Sequence, residues 1–174
     1  MKIQWWFLVL GSALSVSIAG CGEEAVEEGD DDTEMSGDDD DTTPVAPEPS
    51  LDGEVPADYE SNYNLVTDAR SLSESHQGMW VEIFVNDTGM TVWDAGTGTF
   101  PAGTIIVKEN YADETAEDVM AWTIMEKVAS GYDPDHNDWH WVKVTADGTV
   151  AANGIEDGCI GCHSAGDDYV LYER

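Results

Sequence analysis

The sequence predicts an α+β domain over residues 59–174: mostly antiparallel β-sheet with one or two short helices. Three observations carry this expectation. Runs of aromatic and β-branched residues of strand length recur from Trp80 onward. Turn chemistry separates them, at Asn86-Asp87-Thr88-Gly89, Phe100-Pro101-Ala102-Gly103, Gly131-Tyr132-Asp133-Pro134 and Asp147-Gly148. Ahead of them, one segment, Tyr59–Ser73, reads as helix, with Tyr63, Leu65 and Val66 facing inward. A domain of roughly 110 residues is large enough for its own core.

The strands follow in order. Trp80–Val85 is aromatic and branched and ends at the first turn; Thr104–Lys108 leaves the second. Val119–Val128 fits helix or strand. Strand is the better reading, because Gly131–Pro134 and the polar loop to Asp138 separate it from Trp139–Val144, as in an antiparallel hairpin with a long turn. No internal repeat is visible.

The 174 residues include 37 Asp and Glu against 6 Lys and Arg, a net charge of −31. Such a surface repels nucleic-acid phosphates and anionic head groups, which excludes nucleic acid as a partner. The charge is uneven: residues 22–60 hold 17 acids and no Lys or Arg, whereas residues 61–174 hold 20 acids and 5 basic residues. Residues 21–58, with the runs Asp30–Asp32 and Asp38–Asp41 and prolines 44, 47, 49 and 56, read as a disordered acidic linker. So few apolar residues do not offset the entropy of ordering. A Ca²⁺-binding or docking tail is the sharper alternative, but the acids lack ligand spacing.

Residues 1–20 have a basic start at Lys2, apolar runs at Trp5–Leu10 and Ala13–Ala19, and small residues before Cys21. This is an export signal. Ile18-Ala19-Gly20-Cys21 resembles a bacterial lipobox, in which Cys21 is acylated and becomes the mature N-terminus. An ordinary signal peptide and an uncleaved anchor are the competing readings. Several acyl chains on one residue give stable membrane attachment. The expected location is the bacterial cell envelope, at the periplasmic face or the outer membrane; Gly22 after the cysteine leaves the latter open.

The chemistry sits in Cys159-Ile160-Gly161-Cys162-His163. Two thiols at this spacing can each add to a vinyl group of one haem, and the following histidine lies under the iron as proximal ligand. A zinc site wants more Cys and His. A thioredoxin-like pair wants a βαβ setting. A structural disulfide suits an exported chain. The cysteine count favours one covalent haem c, since Cys21 goes to lipid and the motif uses the other two. The iron's sixth position has seven candidates, His76, His136, His140, Met79, Met90, Met120 and Met125. No motif marks any of them. His136 reads as solvated, His140 as a strand residue and the methionines as core filler, which makes an open or weakly held distal position the expectation. Asp133–Asp138 fails the Ca²⁺-loop test, with Asp138 at the sixth position and Val144 at the twelfth, and reads as a turn. Lys108 alternates with Ile106 and Thr104; on pattern alone it is an edge-strand lysine in solvent.

Taken in order, these pieces resemble the cytochrome P-460 family over about Ser75–Tyr172. The matching stretches are Val81–Asn86, Phe100–Glu109, Met125-Glu126-Lys127, Gly131–Pro134, Asp138-Trp139, Asp147–Val150, Cys159–His163 and Asp168-Tyr169-Val170. The resemblance implies a role for Lys108, because in the family the lysine of this stretch bonds covalently to the haem edge. It also implies oxidation of hydroxylamine, with nitric oxide or nitrous oxide among the products. The related β-type cytochromes c′ lack the bond and bind nitric oxide or carbon monoxide. Two departures stand out. Ala151-Ala152-Asn153-Gly154 has no acid where active relatives carry a distal glutamate, with Glu156 and Asp157 nearer the motif, and Trp80–Asn86 has no Arg. Three functions follow: a hydroxylamine-type oxidase, a nitric oxide-binding protein, or an electron carrier with a sixth ligand. The expected partners are a small nitrogen ligand, a redox protein with a basic face, the membrane through the anchor, and a second copy, since relatives are often dimers.

Overall fold

The computed structural model of the protein describes residues 45–172. Residues 1–20, read above as an export signal, Cys21 and residues 22–44 of the expected linker lie outside the described residues. Seven strands form one sheet: β1 (Asn64–Leu65), β2 (Ser71–Ser73), β3 (Met79–Val85), β4 (Ile105–Tyr111), β5 (Val119–Lys127), β6 (Trp139–Thr145) and β7 (Val150–Gly154). The order is β1-β3-β4-β5-β6-β7, β2 also pairs with β3, and every pairing is antiparallel. Three short helices complete it: α1 (Tyr59–Asn62), α2 (Met90–Ala95) and α3 (Asp157–His163). The fold is α+β, as expected.

Period-2 alternation decides the sheet's two faces. On one, Ile83, Val85, Ile106, Met125 and Trp141 join Trp93, Phe100, Trp139, Ile160 and Val170 in a core under α2 and α3. On the other, Phe84, Val107, Ile124, Val142 and Val144 pack against Leu51 and Tyr59. Val119–Val128 is a strand for this reason: Ile124 and Met125 are both buried, on opposite faces. Its hairpin with β6 has the expected long turn, closing at Lys127↔Trp139.

Tyr59–Ser73 is corrected. The helix stops at Asn62, Tyr63 is extended (φ −108°, ψ 161°), and Asn64 and Leu65 pair with Val85 and Phe84. Hydrogen bonding along the exposed edge of β3 satisfies backbone groups on both strands and wins over weak helix propensity. Leu65 is consequently exposed, whereas Tyr63 and Val66 pack against the two cores.

The packed part also starts earlier than Tyr59. Ser50 and Leu51 donate their backbone N–H groups to the Glu126 carboxylate at 2.7 and 3.0 Å, and Leu51 is buried. Glu126 faces His140, whose Nδ1 lies 3.4 Å from Oε2 and whose Nε2 is 2.8 Å from the Asn153 amide oxygen. Burial pushes the Glu126 carboxyl up, but His140, the Ser50 hydroxyl and the two N–H groups outweigh it and hold it at about 2, from an ordinary 4.5. A carboxyl depressed on folding contributes stability that is complete above its unfolded pKa. That contribution is lost as pH falls from about 4.5 toward 2, and amounts to about 3 kcal/mol. Urea midpoints of Glu126→Gln and the parent, followed from pH 6 to pH 2, should therefore converge in acid. Parallel profiles would contradict this account.

Candidate functional site

Cys159, Cys162 and His163 reach one place because α3 is a helix. Glu156, extended at φ −115° and ψ 101°, precedes it, and its carbonyl takes the Cys159 and Ile160 N–H groups at 2.9 and 3.0 Å. Asp157 in the first turn suits the positive end of the helix dipole. Ile160 is the buried anchor against the core. Positions i, i+3 and i+4 share a helix face, so the two thiols and the imidazole of His163 line the same cavity, of about 400 Å³.

The opposite wall is the sheet, with Ile106, Lys108 and Asn110 from β4, Ala121, Thr123 and Met125 from β5, and Trp141 and Lys143 from β6. Lys108, Thr123 and Lys143 are direct neighbours across three strands. The short turn Glu74–His76 closes the cavity with His76, and Met79 begins β3 beside it. Among the described residues, no Asp or Glu lines the cavity. Two lysines do, in a chain with only six basic residues.

His163 is oriented by the loop behind it. Its Nδ1 lies 2.8 Å from the Tyr169 carbonyl, which only accepts, so Nδ1 carries the proton and Nε2 keeps its lone pair. This is how proteins set a histidine for a metal. The Tyr169 carbonyl is itself held: Asp168 and Tyr169 have left-handed φ values of 47° and 62°, and Val170 N–H bonds to Asp167 O at 2.9 Å. A Cβ at Gly166 would overlap the Val170 carbonyl, so only glycine fits this corner. The Asp168 carboxylate accepts Lys127 Nζ at 2.8 and 2.9 Å, Phe100 N–H at 2.7 Å and Asn137 Nδ2 at 2.9 Å, and its carbonyl takes Trp139 Nε1 at 2.8 Å.

Burial first, and the neighbouring Lys108 ammonium second, lowers the His76 imidazole to about 3. Burial first, and Glu156 second, raises the Cys159 thiol. Neither thiol is in a disulfide. The residues fit a c-type haem. Two thiols and one imidazole whose Nε2 keeps its lone pair share a wall, apolar side chains face them, and two ammonium groups on the opposite wall suit acidic substituents. The volume lies within the usual range for ligand sites, about 300–1,000 Å³.

The structure sorts the sequence candidates. Lys108 is 8 % exposed on the inner strand β4 and faces the cavity, which corrects the edge-strand reading. His76, Met79 and Met125 line the cavity. Met90 packs against the core and Met120 is exposed. His136 is only partly exposed, with Nδ1 2.9 Å from the Asp133 carboxylate, rather than solvated. His140 is buried with Glu126, away from the cavity. Glu156 and Asp157 serve the start of α3 and do not line the cavity. Lys143 and Asn110 had escaped notice. Alternation with Trp141 and with Lys108 is their only signal, and it becomes legible once strand register is known.

The family model for cytochrome P460 matches residues 56–171. No curated protein matches the chain.

Proposed function

The chain belongs to the cytochrome P460 family, and from that premise we propose that it is an exported, lipid-anchored monohaem c-type cytochrome that binds and oxidises a small nitrogen species such as hydroxylamine. The family implies a haem cofactor. In this reading Cys159 and Cys162 hold the haem through thioethers, and His163 Nε2 is the proximal ligand. Residues 1–20 direct export, Cys21 carries the lipid, and residues 21–58 space the domain from the membrane. Bound haem supplies a redox-active iron, and the electrons leave to a partner protein.

The observation that carries the oxidase reading is Lys108. It is a lysine buried in the wall of the cavity that two haem-type thiols also line, and it falls on the stretch whose lysine bonds to the haem edge in the family. Trp141 and the aliphatic side chains would exclude water, Thr123 would offer a polar contact, and Lys108 would be the residue to bond a haem held by α3.

Proteolysis of the holoprotein tests this directly. The peptide containing Lys108 is expected to stay joined, through haem, to the peptide containing Cys159 and Cys162. Lys108→Ala is expected to release it and move the ferrous Soret band to the blue, with hydroxylamine oxidation falling at least about tenfold, or about 1.4 kcal/mol. If the two peptides separate in the parent protein, the cross-link is absent. The nitric oxide-binding reading then stands in its place.

A further inference from the structure

The position of His76 deepens this reading and rests on it, since it needs haem in the same cavity. His76 ends the turn Glu74–His76 in the β2–β3 hairpin. Gln77 and Gly78 follow in left-handed conformations, φ 63° and 73°, and Gly78 N–H bonds back to Ser73 O at 3.1 Å. A left-handed non-glycine residue is uncommon and is kept where surrounding structure enforces it. The turn brings the imidazole to the cavity that His163 also lines, with ring centroids 6.3 Å apart and planes at 81°.

Metal–imidazole bonds of about 2.0–2.1 Å place the centroids of two opposed rings about 6 Å apart. A histidine that instead hydrogen-bonds a metal-bound small molecule stands farther off. One more bond and one contact of about 2.8 Å put the centroids about 8–9 Å apart. The observed spacing matches direct ligation and leaves no room for a substrate between.

We propose that His76 is the resting sixth ligand of the haem iron, opposite His163, and that a small ligand binds only by displacing it. The site is then gated. Apparent ligand affinity is reduced by the fraction of iron from which His76 has left. The displaced imidazole would remain beside the bound molecule, in a pocket without carboxylates among the described residues.

The full-length holoprotein tests this. Electron paramagnetic resonance and absorption should show a six-coordinate low-spin iron with two nitrogen ligands. His76→Ala should become high-spin, and added imidazole should restore the low-spin signal. Carbon monoxide should bind the ferrous parent at a rate that saturates with its concentration. In His76→Ala binding should become linear in concentration, with apparent affinity at least about tenfold higher. A high-spin five-coordinate parent, or a methionine-ligated spectrum, overturns the proposal, and that readout needs no variant. Lys108 peptide mapping and hydroxylamine turnover report the oxidase reading separately. A bis-histidine spectrum without turnover sinks only that reading and favours an electron carrier.

Discussion

The Cys159→Ala/Cys162→Ala variant should lose all haem stain on a denaturing gel yet remain in the membrane fraction, while Cys21→Ser should keep the stain and leave the membrane. Under the proposed function the three cysteines would have separable tasks, one for the lipid and two for the haem. The physical basis is bond type. A thioether survives denaturation and a ligand bond from His163 alone does not, so each single variant should retain a weaker stain through its remaining thiol. Acylation at Cys21 supplies several buried chains where one is marginal, so its loss is expected to be complete rather than graded. Stain persisting in the double cysteine variant would end the c-type assignment. Membrane retention of Cys21→Ser would point to an uncleaved apolar segment at residues 5–19.

Asp168→Asn should destabilise the protein by about 3–5 kcal/mol, because it leaves the Lys127 ammonium buried and without its counter-charge. Both side chains are nearly inaccessible, 7 % and 3 % exposed, and the pair is bidentate at 2.8 and 2.9 Å. Lys127 also lies 4.9 Å from the Trp139 ring, which does not replace an anion. Typical domains are stable by about 5–15 kcal/mol, so the loss takes a large share. Adding Lys127→Met should recover much of it. The unpaired charge is then gone, and the side-chain amide introduced by Asp168→Asn can still accept the Phe100 N–H and tolerate the left-handed backbone. Urea denaturation of the parent and of the single and double variants measures this; no recovery in the double variant would show that the hydrogen bonds, rather than the charge, dominate. The same corner presents the Tyr169 carbonyl to His163. Asp168→Asn should therefore also broaden the iron's ligand-field signals at denaturant concentrations that leave the chain folded.

Much of the fold was legible in the residues. Runs of aromatic and β-branched residues and turn chemistry marked β3 to β6, because strands buried on both faces read as near-continuous apolar runs. What was missed depends on distant partners. Leu65 is apolar in a helix-compatible stretch, yet it becomes edge strand because β3 offers unpaired backbone. The short helix α2 follows Gly89, which is required because a Cβ there would fall 2.6 Å from Thr104 Cγ2 and 2.9 Å from Val85 Cγ1. Leu51 and Ser50 look like linker and are tied down by Glu126, a residue 75 and 76 positions away.

The site divides in the same way. Sequence alone placed both thiols and the histidine on one face, since a five-residue motif contains them and a helix aligns i, i+3 and i+4 whatever surrounds it. It also carried the family, because the order of the motifs is a one-dimensional property. Only the tertiary structure decided what faces that motif. Lys108 was ambiguous between solvent and cavity until strand order made β4 an inner strand. His76 was one of seven unmarked candidates until the β2–β3 turn set it 6.3 Å from His163. Register and loop closure, which depend on contacts between residues far apart in the chain, place the opposite wall of a cavity, and no local pattern encodes them.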